Sequence, residues 1–149
     1  MNSPTIYDAD SQPHALQWRA LDGAERIRAV VHFHVQRGIA VPHLKWHALM
    51  HVNIENMLLP ARSPMSRALQ RLQDQGVGRH DAIHTFAAVA LAHPVDDLTG
   101  DPRLSPRERQ LAFNSAIDAL TREQCHRYVD KARKMFNLGL SFDRARSDT

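Results

Sequence analysis

The segment from Leu44 to Leu59 constrains the fold more than any other part of the chain. Wound as a helix, it carries apolar side chains in most directions: Leu44, Ala48, Leu49, Met50, Val52, Ile54, Met57, Leu58 and Leu59. A helix that is apolar nearly all round has to be covered by neighbours on several sides. The chain therefore needs several other helices or sheets to bury it. The same segment carries His47, His51 and Glu55 at four-residue steps. Each such step advances only about 40° around a helix axis, so the three polar groups stack on one side. They fall in a sector of roughly 80° flanked by Leu44, Ile54 and Leu58, which turns the stripe inward. A bare carboxylate buried there costs several kcal/mol, so Glu55 must be neutralised, paired or bound to a metal.

The rest of the chain also reads as helix. No convincing period-two alternation occurs, and the Asp22-Gly23 pair has no strand-like run on either side. Asp22 instead caps a first helix over about Gly23 to Arg37, which stops at Gly38. Pro42 suits the first turn of the second helix, which ends before Pro60. Ser63-Pro64 opens a third that closes at Gly76, and Gly78 leads into a fourth, Arg79 to Ala92, stopped by His93-Pro94. Residues 94–104, dense in Pro, Gly and Asp, form a linker. Ser105-Pro106-Arg107-Glu108 is a capping box for a fifth helix reaching about Leu120, and Thr121 starts a sixth that ends near Phe136. Asp143 to Thr149 reads as a frayed polar tail. The expectation is an all-α, compact bundle of about six helices in one domain spanning 1–149. In it, 22–92 forms a motif-bearing four-helix core and 105–137 a C-terminal helical hairpin.

Composition narrows the function. At 149 residues with 43% hydrophobic content, the chain can close a sizeable core without staples. A lone cysteine, Cys125, suits a reducing compartment. The stretch Met1 to Asp10 lacks the basic-then-apolar pattern of a signal peptide, and no apolar run approaches the roughly 20 residues of a spanning helix. The expected location is therefore the cytoplasm, away from membranes. The net charge of +3 is scattered, without basic residues interleaved with aromatics, which argues against nucleic acid. Ten histidines are the anomaly; imidazole titrates near neutrality and is the commonest metal ligand.

On the fourth helix His80 and His84 repeat the four-residue step at the edge of an apolar face made by Ile83, Phe86, Ala87, Ala90 and Leu91, with Asp81 and Thr85 towards solvent. Facing histidine and carboxylate stripes are how helical bundles build metal sites. The expected ligands are His51, Glu55, His80 and His84, with His47 as a fifth ligand or proton relay. Asn56 and Arg79 stand by to orient ligands or an anionic substrate. An imidazole-rich set of this kind suits iron, zinc, copper or nickel rather than magnesium or calcium, with iron or zinc expected. H-E-x-x-H and paired-cysteine zinc patterns are absent. Three readings stay open: a metal centre with a redox or hydrolytic role on a small-molecule substrate, a structural or interaction module with a buried polar network and a homodimer interface, and metal-free acid–base catalysis.

The remaining candidates carry blander readings. His32 and His34 diverge by about 200°, so one faces the core, and packing suits His34, beside Ile27 and Val31. His126 and Asp130 read as a solvated pair, and His14, His43 and His93 take no role. Cys125 and His126 are neighbours on a helix and point apart, so they form no nucleophile dyad.

The run L-D-G-A-E-R-I, then H-x3-H-V-N-I-E-N and R-H-D-A-I-H, resembles a small bacterial family of unassigned function. Its members carry an L-D-x-A-E-R-I segment, an H-x3-H-x3-E-N-Q helix and an R-H-D/E-A-I-H helix. The likeness covers Leu21 to Ala92, about half of the chain, and departs at Met57, where the family has glutamine. It implies a helical fold and singles out His47, His51, Glu55, Asn56, Arg79, His80 and His84. A weaker likeness is to hemerythrin-type metal-binding bundles, through His34, His51 with Glu55, His80 with His84, and His126 with Asp130 in that order. Here a separate helix opened by Pro64 interrupts the pattern, and the His126–Asp130 spacing differs.

Overall fold

The computed structural model describes residues 7–142; the first six residues and the tail from Asp143 lie outside them. Among the described residues there are seven helices and no strand: α1 (Ala15–Ala20), α2 (Gly23–Gln36), α3 (Leu44–Leu58), α4 (Pro64–Asp74), α5 (Arg79–Ala92), α6 (Pro106–Ala119) and α7 (Arg122–Met135). None is long and apolar enough to cross a membrane. The sequence reading gives α2 to α7 within two residues at each end and misses the six-residue α1.

Local chemistry sets most of the boundaries. Asp22, Ser105 and Thr121 each accept a hydrogen bond from the backbone three residues on, while the Glu or Gln there accepts one from the backbone N–H of the cap. Pro64 and Pro106 occupy first turns whose N–H groups have no helical partner anyway. Pro42 departs from expectation. The chain passes through His43 in the left-handed conformation (φ 51°), so α3 begins at Leu44 and the proline stays outside it.

The hub of the bundle is α5 rather than α3. Nine successive or near-successive residues of α5, from Arg79 to Val89, are buried, because α3, α4, α6 and α7 all lean on it. Thr85, placed towards solvent by the sequence pattern, is fully buried, and its hydroxyl donates to the Asp81 carbonyl at 2.9 Å. Helix α3 packs on α2, α5 and α4, yet leaves Trp46 63% exposed and Met57 37% exposed. Its apolar circumference is thus not wholly covered. Helices α6 and α7 lean chiefly on α4 and α5 respectively. The linker before α6 is fastened by the buried Arg109, which donates to the carbonyls of Asp101 and Leu104 and pairs with Asp97.

Two irregular segments converge on the polar core from opposite ends of the chain. Tyr7 and Ala9, both buried, enter from the N-terminal side. After α7, residues 136–142 run back across the α2–α3 connection and bury Leu140. Gly139 makes that crossing feasible. Its φ is +71°, and a Cβ there would lie 2.6 Å from the Val41 Cβ. Gly38 is also left-handed (φ +65°) but faces open space. Both should lose roughly 1 kcal/mol on conversion to alanine for backbone strain. Gly139→Ala should lose clearly more, because Val41 must also move; thermal melts of the two variants check the order.

Candidate metal centre

Five histidines meet in the core. The ligand atoms of His34, His47, His51, His80 and His84 all lie within 4.8 Å of one another. His34 comes from α2, His47 and His51 from successive turns of α3, and His80 and His84 from successive turns of α5. Four are at most 3% exposed, and His80 is half-buried. The four-residue steps do what helical geometry requires, stacking each pair on one face. The α2–α3 and α3–α5 contacts bring the faces together.

The ring nitrogens fall into two sets. The Nδ1 atoms point outward to fixed partners: His34 to the Val30 carbonyl at 2.9 Å, His47 to the Leu138 carbonyl at 2.8 Å, and His84 to Ser141, whose carbonyl lies at 2.8 Å and whose N–H donates to the ring at 3.1 Å. The Nε2 atoms point at each other: His47 to His34 at 3.0 Å, and His51 to His47 and to His84 at 3.1 Å each. Burial pushes all four of these imidazoles below their ordinary pKa. His47 falls to about 4, first through desolvation and then through the neighbouring imidazole of His34, against the pull of the Leu138 carbonyl. His51 and His84 fall well below the usual value through burial and then the other histidines. Burial thus favours the neutral form of all four rings.

Glu55 stands one step outside the cluster, contrary to its expected place among the ligands. Both its oxygens are engaged: Arg79 donates to them in a two-point pair at 2.8 and 2.7 Å, and the Tyr7 hydroxyl donates to Oε1 at 2.8 Å. The pair lies at 5% and 1% side-chain exposure. The need for a buried carboxylate to be neutralised is met by a guanidinium, not an ion. Burial alone would weaken Arg79 as a base, but the Glu55 hydrogen bond and charge outweigh it and raise its pKa. Burial, then the Glu55 charge, raise Tyr7 well above the usual phenol range. Asn56 does not face the centre either. Its side-chain oxygen accepts from Trp18 Nε1 and Arg26 Nη1, both at 2.9 Å, and so ties α1 and α2 to α3.

His34 is the residue that sequence reasoning undervalued, by assigning it to packing. Its apolar neighbours on α2 signalled burial, but not that a second histidine-bearing helix would cross there. The hemerythrin-type pattern includes His34, yet His126 and Asp130 on α7 do not join the cluster, and among the described residues no carboxylate does. Cys125 is fully buried, and burial pushes its thiol up to about 11, which leaves it a packing residue.

A cavity of about 220 Å³ opens onto the centre, lined by His80, His84, Asp10, Asp81, Gly139 and Ser141 among others.

The chain matches no known protein-family model, no curated protein and no solved structure. Functional assignment therefore rests on the geometry of the cluster.

Two consequences are measurable. Arg79→Met removes one partner of a buried pair and should cost about 3–5 kcal/mol in unfolding free energy, read by denaturant titration. The pH dependence follows from the lowered imidazole pKa values. A histidine depressed in the folded state takes up protons preferentially when unfolded, so its contribution is complete above pH ~6.5 and is lost as pH falls towards the folded value. Metal-free protein should lose stability between pH ~6.5 and about 4, by roughly 3 kcal/mol from His47 alone. Melting temperatures across that window test it.

Proposed function

We propose that this protein is a helical carrier of a buried transition-metal ion held by His34, His47, His51, His80 and His84. One observation carries the reading, the contact between His34 and His47. A carbonyl oxygen only accepts, so both Nδ1 atoms must hold their protons for the Val30 and Leu138 contacts. A neutral imidazole has one proton, so both Nε2 atoms present lone pairs, 3.0 Å apart. Two lone pairs facing at that distance repel unless something positive lies between them. Burial disfavours a proton in that place, as the lowered pKa values of both rings express. A metal ion removes the conflict. Ligating histidines ordinarily donate their other N–H to a carbonyl or carboxylate, as these do.

The spacing also bears on the ion. Two nitrogens at a right angle around an ion, each ~2.1 Å away, are about 3.0 Å apart, and at the tetrahedral angle about 3.4 Å. The observed 3.0–3.1 Å contacts among His34, His47, His51 and His84 fit the right angle. The five ligand atoms spread over up to 4.8 Å, wider than the ~4.2 Å across one ion, so the rings must draw in to act as a five-donor set, which exceeds a tetrahedral one. A first-row ion that accepts five or six ligands, such as iron, nickel or copper, is favoured over four-coordinate zinc. The cavity at His80 and His84 then supplies the approach for a small-molecule ligand. Such an ion offers Lewis acidity or one-electron redox chemistry; the chain contributes the imidazole shell, its orientation and the exclusion of bulk water.

Elemental analysis of protein purified without a tag under nitrogen, with iron(II), nickel(II), copper(II) and zinc(II) offered in turn, tests this. About one ion per chain is expected. A folded His51→Ala/His84→Ala variant should bind it more weakly by more than the roughly 10- to 100-fold typical of losing an outer partner, and His126→Ala should bind it normally. A parent protein that takes up none of the four would leave a buried polar network and contradict the reading.

A further inference from the structure

His34 and His47 are held by carbonyls, but His51 is not. Its Nδ1 meets the Tyr7 hydroxyl at 3.0 Å, and that hydroxyl lies 2.8 Å from Glu55 Oε1. A phenol has one proton to donate. Glu55, paired at two points with Arg79, is a carboxylate and can only accept. The Tyr7 proton is therefore committed to Glu55, and its oxygen faces His51 as an acceptor. That fixes the proton of His51 on Nδ1 and turns the Nε2 lone pair towards His47 and His84. The hydroxyl itself is held firmly. The Tyr7 ring packs against Trp18 and Phe33 with centroids 5.5 and 5.6 Å apart, and Arg79 also donates to the Ala9 carbonyl at 3.1 Å, two residues further along the same segment.

We propose that Tyr7 is a positioning residue for the metal centre, fixing His51 in the ligating tautomer through a relay that runs from Arg79 to Glu55 to Tyr7 to His51. The proposal rests on the metal-centre reading above. It gives Glu55 a purpose that its place outside the cluster otherwise lacks: one turn beyond His51 on α3, it holds the group that orients His51. The relay also brings the N-terminal segment into the centre, since Tyr7 and Ala9 precede the first helix.

Tyr7→Phe keeps the ring and removes the hydroxyl. Nickel(II) affinity, measured by competition with a chromophoric chelator, should fall about 10- to 100-fold, the usual effect of losing an outer partner of a ligating histidine. Leu72→Ala, a core truncation on α4, controls for stability loss alone and should leave the affinity unchanged while lowering the melting temperature. In metal-free wild-type protein, long-range 1H–15N spectra should show His51 protonated on Nδ1. Equal nickel affinity in wild type and Tyr7→Phe would overturn the role of Tyr7 alone. Should Tyr7→Phe fail to fold, the tautomer decides, and a proton on Nε2 of His51 overturns the proposal. Wild-type protein that binds no nickel, iron, copper or zinc overturns the metal reading itself, and this inference with it.

Discussion

Lone pairs that converge without protons between them set the terms for the rest of this structure. Each of the rings in question is turned by a partner at its outer nitrogen: a carbonyl within α2 for His34, a carbonyl after α7 for His47, and the Tyr7 hydroxyl for His51. Once those outer contacts are made, the inner nitrogens have only acceptors to offer one another. In water such a conflict would be relieved by solvent or a proton, but all three of these rings are sealed at 0% exposure. The arrangement is costly as a bare network and favourable as a cage for a cation. The preference of the imidazoles for the neutral form follows from the same burial.

The fold serves that arrangement by bringing distant parts of the chain to one point. Helices α3 and α5 each contribute two histidines from one face, and α2 adds a fifth group. The two irregular ends then close over the site, with Tyr7 and Ala9 on one side and Leu138 to Ser141 on the other. The Glu55–Arg79 pair balances its own charge inside the core, so it adds no net charge to the centre. A bound ion would face five neutral donors, and its positive charge would be felt at the cavity beside His80 and His84.

Much of this was legible in the sequence, for physical reasons that also explain the misses. Helix ends declared themselves through local chemistry: the cap at Asp22, the capping boxes at Ser105 and Thr121 and the prolines at 64 and 106 act within one turn of themselves. The four-residue steps of His47, His51, His80 and His84 foretold which side chains share a face, because that too is set within one helix. What failed was information carried by packing. The role of His34 depends on how α2 crosses α3, and α2 alone cannot say that. Glu55 looked like a ligand because its partner Arg79 lies 24 residues away and its other partner, Tyr7, lies in a segment without regular pattern. Thr85 looked solvent-facing because α7, which covers α5, is separated from it by a whole linker and helix. The short α1 has no capping side chain at His14 and is held by Trp18 reaching Asn56, a contact no local pattern announces.

X-ray absorption spectroscopy on protein loaded with nickel(II) or iron(II) tests the central claim most directly, because it reads the ion's neighbours rather than its mere presence. The account predicts five imidazole nitrogens at about 2.1 Å, with the multiple-scattering pattern of histidine rings and room for one further light atom. An ion surrounded by carboxylate or water oxygens, or bound by fewer than four imidazoles, would contradict it and return the cluster to the status of a buried polar network.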